Sequence, residues 1–564
     1  MHRAILILLL VPLFSGSPAT SLAATGPTLS VDVAAERHPI DPAIYGMNFP
    51  PAGLAAELGM AVQRWGGNAT TRYNWQNGVS NRGSDYFFQN VPEPVVSELP
   101  DGSSVNQFIE QGRAADTATL LTVPLIGWTP KRRLPDHPYD CGFSIKKYGP
   151  QPASDPFDPD CGNGVRPDGD LLTDNDPTDT SLAINPSFVT SWMDYLIGRY
   201  GSAGADGIRH YSLDNEPGIW HETHRDVHPA PLSYNEIRDL SVSYATAIKS
   251  KDAGALTFGP VQDSWTRYFY ASFVDFPQAT TDRAGRPPFV AWFLDQLRQA
   301  SQASGTRLLD YLDLHYYPAA AGVTLSPAGD AATKARRLRA TRSLWDPNYA
   351  DESYIGTDGV EGGPAVRLIP RMRDWVADNY PGTRLAITEY NFGGLEDLNG
   401  ALAQADVLGI FGRERLDLAT LWAPPEPDQP GAYAFRIYRN YDGAGGRFGE
   451  TGLQAASADQ GQLAIYAAER AADGALTLVV INKMSDELTS SLSLAGYSPA
   501  ATAQVFRYSA ANLSAIVPQA DLAVAASGFS ASFPANSISL IVLRPAEEPP
   551  PPPDTLIFVP LARK

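Results

Sequence analysis

A chain of 564 residues is too long for one ordinary hydrophobic core. Its 43% hydrophobic content, with 48 glycines and 48 prolines, fits a globular protein of two bodies rather than a disordered one. A formal charge of −19 with no stripe of Lys or Arg excludes nucleic acid as an expected partner and leaves a neutral polymer compatible.

In chain order, His2 and Arg3 precede an uninterrupted apolar run over 4–14 and then Ser21-Leu22-Ala23, the pattern of a secretory signal peptide over 1–24. That run is too short to span a bilayer, and no other segment approaches spanning length, so a secreted, soluble chain is expected. The only two cysteines, Cys141 and Cys161, are then expected to form one loop disulfide, with two free thiols as the alternative.

From 44 to 424, short apolar runs alternate with amphipathic stretches. The candidate strands are 44–49, 62–67, 119–128, 208–217, 256–262, 311–318, 384–391 and 418–424. Helical spacing is clear at 186–200 (Phe188, Trp192, Tyr195, Leu196) and 234–251 (Ile237, Leu240, Tyr244, Ile248). Eight strands with helical crossovers predict a closed (β/α)8 barrel of the TIM type over 44–424. An open doubly wound sheet is the competitor, but no glycine-rich phosphate loop follows the first strand. The long connections 129–185 and 319–363 both follow strands, which places them on the rim where barrel enzymes build their sites.

Beyond 424 the pattern changes to short alternating runs at 433–437, 476–480, 488–494, 505–508 and 538–543, which predicts a smaller all-β sandwich over 425–545. The segment 27–43, with a strand-like 28–33, is expected to join it. A proline-rich linker over 546–554 and a short tail over 555–564 close the chain. The tail reads either as an export or surface-attachment signal or as an unstructured end.

Cleaving a glycosidic bond requires one carboxyl group to protonate the leaving oxygen and a second to attack the anomeric carbon or activate water. The fourth candidate strand ends Tyr211-Ser212-Leu213-Asp214-Asn215-Glu216-Pro217, and the seventh ends Ile387-Thr388-Glu389-Tyr390-Asn391. In an eight-stranded barrel these ends lie across the mouth from each other, so Glu216 as general acid/base and Glu389 as nucleophile can straddle one sugar. Asn-Glu-Pro by itself is equally an ordinary strand-ending turn. Asn215 is placed to hydrogen-bond a sugar 2-hydroxyl. Trp65, Trp128, Tyr316, Tyr317 and Trp422 also end strands, where stacking on sugars competes with core packing.

Two metal readings are open. His221, His224 and His228 are close in sequence but lack the helical zinc spacing, so packing beside the acid is the stronger account. Asp155, Asp158 and Asp160 could offer oxygens to calcium, or form a solvated acidic loop.

At these residues the sequence resembles glycoside hydrolase family 44, the endo-β-1,4-glucanase and xyloglucanase family. The likeness is carried by Arg64-Trp65-Gly66-Gly67-Asn68-Ala69-Thr70-Thr71-Arg72-Tyr73-Asn74-Trp75, by 211–217, by Asp313-Leu314-His315-Tyr316-Tyr317-Pro318 and by Thr388-Glu389-Tyr390-Asn391. It extends over roughly 44–543 and implies a barrel beside a sandwich, retaining chemistry, Glu216 as acid/base and Glu389 as nucleophile. It also implies substrate contacts at Trp65, Asn215, His315, Tyr317 and Trp422, no cofactor for catalysis, and a structural calcium matched only loosely to 155–160.

The expected function is a secreted, retaining, endo-acting hydrolase of plant cell-wall β-1,4-glucan, cellulose-type or xyloglucan, working as a monomer. A xylanase or arabinofuranosidase on the same two-glutamate plan, or a non-catalytic carbohydrate-binding protein, are the alternatives.

Overall fold

Eight short parallel strands, β1 to β8, close into one barrel. They are Gly46–Asn48, Val62–Trp65, Ala118–Val123, His210–Leu213, Leu256–Gln262, Tyr311–Tyr316, Arg384–Tyr390 and Leu418–Leu421, and β8 pairs back onto β1. The computed structural model describes residues 24–272, 283 and 285–546. The expected leader apart from Ala24, the linker apart from Ala546, and the tail lie outside the described residues.

Each predicted strand window contains a barrel strand, but the third ends early. Pro124 and the positive-φ Gly127 (φ +87°) interrupt it, and Trp128–Pro130 instead pairs antiparallel with Ser181–Ala183 above the barrel.

Among the described residues a main helix follows each strand on the outside of the barrel: α1 Ala52–Leu58, α2 Ser104–Ala114, α3 Pro186–Tyr200, α4 Tyr234–Lys251, α5 Phe289–Ser304, α6 Leu368–Asn379, α7 Leu398–Arg413 and α8 Pro430–Arg439, with shorter helices in the loops. α3 and α4 start where their capping residues dictate: the Asn185 side chain accepts from Ser187 N with Pro186 as the first helical residue, and Ser233 accepts from Glu236 N. Both bury the faces their periodicity marks, Trp192 and Leu196 on one, Ile237, Tyr244 and Ile248 on the other.

α8 corrects the sequence reading of 433–437 as a sandwich strand. Tyr-Ala-Phe-Arg-Ile alternates at period two, yet Ala434, Phe435, Ile437 and Tyr438 are buried at helical spacing, and Tyr438 Oη donates to Ala405 O of α7 at 2.9 Å. The helix completes the barrel wall, and after the barrel the sandwich strands resume at Thr451–Gly452.

The second body is two packed sheets. Leu29–Asp32 lies in the five-stranded sheet between Gln454–Ser457 and Leu488–Ala495, so the chain enters the sandwich before it builds the barrel. Leu476–Asn482 is buried along its whole length because it serves two cores. Leu476, Leu478 and Val480 face the sandwich interior, while Val479 and Ile481 belong to the core shared with the barrel.

A buried ion pair fixes that junction. Asp406 of α7 meets Lys483 Nζ at 2.7 Å and accepts from the hydroxyls of Tyr466 and Thr341, both at 2.7 Å. Asp406→Ala is expected to destabilise the protein by about 3–5 kcal/mol, because it leaves the Lys483 ammonium buried without its counter-charge. Denaturant unfolding would check this, and a loss under about 1 kcal/mol would show that the junction does not depend on the pair.

Above the barrel, the connection after β2 forms a small sheet of Tyr73–Asn74, Val79–Asn81 and Asn90–Pro92. Arg72 ties three rim loops together: its Nη1 lies 2.7 Å from Asp226 and its Nη2 donates to Ser181 at 2.6 Å, with both charges buried. Cys141 and Cys161 are joined by a disulfide inside the long connection after β3. The rim around the barrel mouth is therefore cross-linked rather than a set of independent loops.

Candidate active site

Glu216 sits just past the end of β4 on a backbone that is unusual for its residue types. Asp214 (φ +71°) and Glu216 (φ +46°) are both left-handed, a conformation that costs a non-glycine residue about 1–3 kcal/mol and is concentrated at functional sites. The surroundings hold it. The Asp214 carboxylate accepts from the amides of Leu125 (2.5 Å), Ile126 (3.1 Å) and Asn215 (2.7 Å), and Glu216 N donates to Val261 O at 3.0 Å. Pro217 then starts a turn of 3-10 helix. The result aims the Glu216 side chain over the barrel, 13% exposed.

Glu389 reaches the same space from β7 through a register slip. Asp313 pairs with Ala386 but His315 pairs with Glu389, so β7 carries one extra residue opposite β6. A bulge of this kind re-aims side chains. Here the consecutive residues Thr388 and Glu389 both reach inward: Thr388 Oγ1 donates to Asp313 (2.9 and 2.8 Å), and Glu389 meets Arg64 and Tyr317. The displaced Thr388 carbonyl accepts from Asn48 Nδ2 (3.0 Å) and Thr420 Oγ1 (2.5 Å).

One carboxylate oxygen of Glu216, one of Glu389 and a ring nitrogen of His315 all lie within 4.8 Å of one another. The two carboxyl groups are treated oppositely. Arg64 Nη1 donates to Glu389 Oε1 at 2.6 Å and Tyr317 Oη to Oε2 at 2.7 Å, which favours the anion. Among the described residues no Lys or Arg is in hydrogen-bond contact with Glu216; burial, reinforced by the nearby Asp263, pushes its carboxyl up to about 8, with Arg64 and Arg267 opposing. The two carboxyl groups thus sit in opposite surroundings, one held by a guanidinium and a phenol, the other buried without a cation against it.

Asn215 is buried, its Oδ1 accepting from Arg64 Nη2 (2.7 Å) and Gly67 N (3.2 Å) and its Nδ2 donating to Asn68 Oδ1 (3.1 Å). Arg64 is wholly buried and joins β1, β2, β4 and β7 through Asn48, Asn215 and Glu389. The Gly66-Gly67 pair in the sequence marks this spot. A Cβ on Gly66 would fall 2.3 Å from the Arg64 guanidinium, and one on Gly67 (φ +88°) would fall 2.5 Å from the Trp422 ring. Trp422 lies over Gly67, half-buried at the rim.

His315 was expected to touch substrate, and its position corrects that: the side chain is fully buried, with Nδ1 2.8 Å from Glu216 Oε1 and Nε2 3.2 Å from Thr388 Oγ1. Trp65 is likewise packed mostly inside, 8% exposed, behind Phe49, Tyr73 and Phe108. The aromatic ring presented at the mouth is Phe49, 41% exposed, 5.3 Å from Trp65 and 6.4 Å from Trp422 between centroids. Sequence reading passed over Phe49, Arg64, Asp263, Asp313 and Thr388; Arg64, Asp313 and Thr388 lie inside the motif segments, but their roles depend on contacts between strands.

The three histidines do not gather, whereas Asp155 and Asp158 come together with His137, one ligand atom of each within 4.8 Å, and without Asp160. His228 pairs with Glu236 at 2.9 Å, His221 lies 3.5 Å from Glu222 and His224 is buried against Gly83, so the three histidines do not converge. Asp160 faces Ser144 and Lys146 N, away from Asp155 and Asp158. Asp155 takes Tyr86 Oη (2.8 Å), Gln89 Nε2 (2.5 Å) and Phe157 N (3.1 Å). Asp158 Oδ2 takes Tyr139 N (3.0 Å) and lies 2.6 Å from His137 Nδ1, which leaves only its buried Oδ1 without a partner. Calcium requires six to eight oxygens. As placed, this loop is a hydrogen-bonded hub and does not fit that ion.

A closed barrel with unlike glutamates at the ends of strands four and seven is the layout of a two-carboxylate glycosidase. The comparisons agree with that class. The profile described as glycoside hydrolase family 44 matches residues 79–320. Endoglucanase A of Paenibacillus lautus is 31% identical over 486 residues, 83% of this chain and 65% of that protein. Beta-mannanase/endoglucanase A of Caldicellulosiruptor saccharolyticus is 30% identical over 499 residues, 81% of this chain and 34% of that protein. The chain therefore spans only part of these two longer curated relatives. Among solved structures, CelM2, a bifunctional glucanase-xylanase protein from a metagenome library, has a TM-score of 0.87 at 38% identity, covering 93% of this chain and 100% of that one. A Paenibacillus polymyxa xyloglucanase of family 44 has a TM-score of 0.76 at 31% identity, covering 92% and 100%. The chain belongs to glycoside hydrolase family 44.

Proposed function

We propose that this protein is an exported, retaining endo-β-1,4-glucanase acting on cellulose-type glucan or xyloglucan of plant cell walls. The spacing of Glu216 and Glu389 carries the reading. One oxygen of each lies within 4.8 Å of the other, which suits the roughly 5–5.5 Å between carboxyl groups of retaining enzymes better than the roughly 6.5–9.5 Å of inverting ones.

The cycle is a double displacement. Glu389, ionised and oriented by Arg64 and Tyr317, attacks the anomeric carbon while Glu216 gives its proton to the departing glycosidic oxygen. A covalent glycosyl–enzyme results, with the aglycone released as an alcohol. Water then attacks the same carbon, Glu216 takes its proton, and Glu389 leaves as carboxylate. Phe49 and Trp422 offer ring faces to the sugar chain at the mouth. No step uses a metal.

Export rests on the leader-like N-terminus and the disulfide; among the described residues no helix is long and apolar enough to cross a membrane. Xylan is the second substrate to consider, because CelM2 is described as a glucanase-xylanase. The test is reducing-end release from carboxymethylcellulose, xyloglucan, lichenan and xylan by the wild-type protein, with the anomer first formed followed by NMR. Glucan cleavage with β-product is expected. Initial α-product would overturn retention, and binding without cleavage of any of the four would favour a carbohydrate-binding protein.

A further inference from the structure

We propose that Asp313 and Thr388 are positioning residues that set the tautomer of His315 and thereby hold the catalytic proton on Glu216. The proposal rests on the reading of Glu216 as the acid. It follows from counting protons along a buried chain in which every member is identified.

Thr388 has one hydroxyl proton. Its Oγ1 lies 2.9 and 2.8 Å from the two oxygens of Asp313, and its amide also donates to Asp313 Oδ1 at 3.2 Å. Burial raises Asp313 to about 7, opposed by Arg64 and the two Thr388 hydrogen bonds, so on the alkaline side of that value, where the Glu216 limb falls, it is a carboxylate flanked by two donors of one residue and takes the hydroxyl proton. Thr388 Oγ1 then faces His315 Nε2, 3.2 Å away, as an acceptor, so Nε2 carries hydrogen. Burial pushes the imidazole down to about 3, so the ring is neutral and its Nδ1 is bare. That bare nitrogen lies 2.8 Å from Glu216 Oε1. Two lone pairs do not approach so closely without a proton between them, and the proton therefore sits on Glu216 and is donated to Nδ1.

Other charged groups face Glu216 from the elements around it: Arg64 on β2, Asp85 in the following connection, Asp263 and Arg267 after β5, and Glu389, Oε2 of which is 3.5 Å from the same Nδ1. Asp263 and Asp85 also favour the proton, and the two arginines oppose it. The His315 contact differs from these in being directional. Once Glu216 has given its proton to the leaving oxygen, its carboxylate faces a bare nitrogen, an arrangement relieved when it takes a proton from the attacking water. The same tautomer therefore favours both halves of the cycle.

The bulge in β7 is what makes this possible, since Thr388 would otherwise point out of the barrel while Glu389 points in.

The test is the pH dependence of kcat/KM in Asp313→Asn. A carboxamide donates to Thr388 Oγ1, the threonine proton turns to Nε2, and the ring hydrogen moves to Nδ1, where it stabilises ionised Glu216. The alkaline limb on polysaccharide should move about one pH unit toward acid, while an aryl glycoside with a good leaving group changes far less. Thr388→Val should also shift the limb, and Thr388→Ser should restore it. In case these variants do not fold, the 15N spectrum of histidine-labelled wild type, assigned with His315→Gln, should show Nε2 protonated. A ring protonated at Nδ1 overturns the proposal, as does a uniform activity loss at every pH in Asp313→Asn. The acid reading is judged separately: if Glu216→Gln still discriminates by leaving group, only the relay has failed, and if it does not, both have.

Discussion

Glu389→Gln leaves a folded protein that binds glucan oligosaccharides and turns them over on the order of 10⁴-fold more slowly or worse. The amide keeps the size of the side chain, and its oxygen can still accept from Arg64 while its nitrogen donates to the Tyr317 oxygen. What it lacks is the electron pair that forms the bond to the anomeric carbon. The substitution also removes the counter-charge of a fully buried guanidinium, since Arg64 and Glu389 form a 2.6 Å ion pair with side chains 0% and 6% exposed. Breaking one half of such a pair costs about 3–5 kcal/mol, so a lower Tm should accompany the loss of activity. Calorimetric oligosaccharide binding alongside reducing-end release checks both parts. Turnover within tenfold of wild type would remove Glu389 as nucleophile.

Glu216→Gln should behave differently. General acid catalysis contributes roughly 10² to 10⁴-fold, and that factor should be lost on polysaccharide but largely spared in the first step on aryl glycosides whose leaving groups need no proton. Because the second step still requires a base, glycosyl–enzyme should accumulate and appear as a burst. In wild type the alkaline limb of kcat/KM should fall near pH 8, the value to which burial and then Asp263 raise Glu216.

The stability sign follows from the same shift. The unfolded chain releases this proton near 4.5 and the folded chain near 8, so the contribution is fully present below 4.5 and is lost as pH rises through the window to about 8. Glutamine abolishes that loss. Thermal unfolding of the variant relative to wild type should therefore improve between pH 5 and pH 8; an unchanged difference would show that Glu216 is not raised.

The sequence by itself determined the elements that local pattern specifies. Eight aliphatic runs, capped helices such as 186–200 and 234–251, and the two glutamates at strand ends are legible because a side chain's periodicity and its place at the end of a strand are local properties. Segment 433–437 is misread from local pattern, since its alternation predicts a strand, whereas Pro430 and the burial of Ala434, Phe435, Ile437 and Tyr438 against the barrel make it a helix. Tertiary structure decided the working parts of the site. A one-residue slip between β6 and β7 turns Thr388 inward, and this places Asp313 and His315 in line with Glu216. Arg64 gains its role only when four strands converge on it, and Phe49 displaces Trp65 at the mouth because one ring packs behind the other. Register, burial and the partner across the barrel depend on residues hundreds of positions apart, as with Arg64 and Glu389, and those contacts exist only once the barrel has closed.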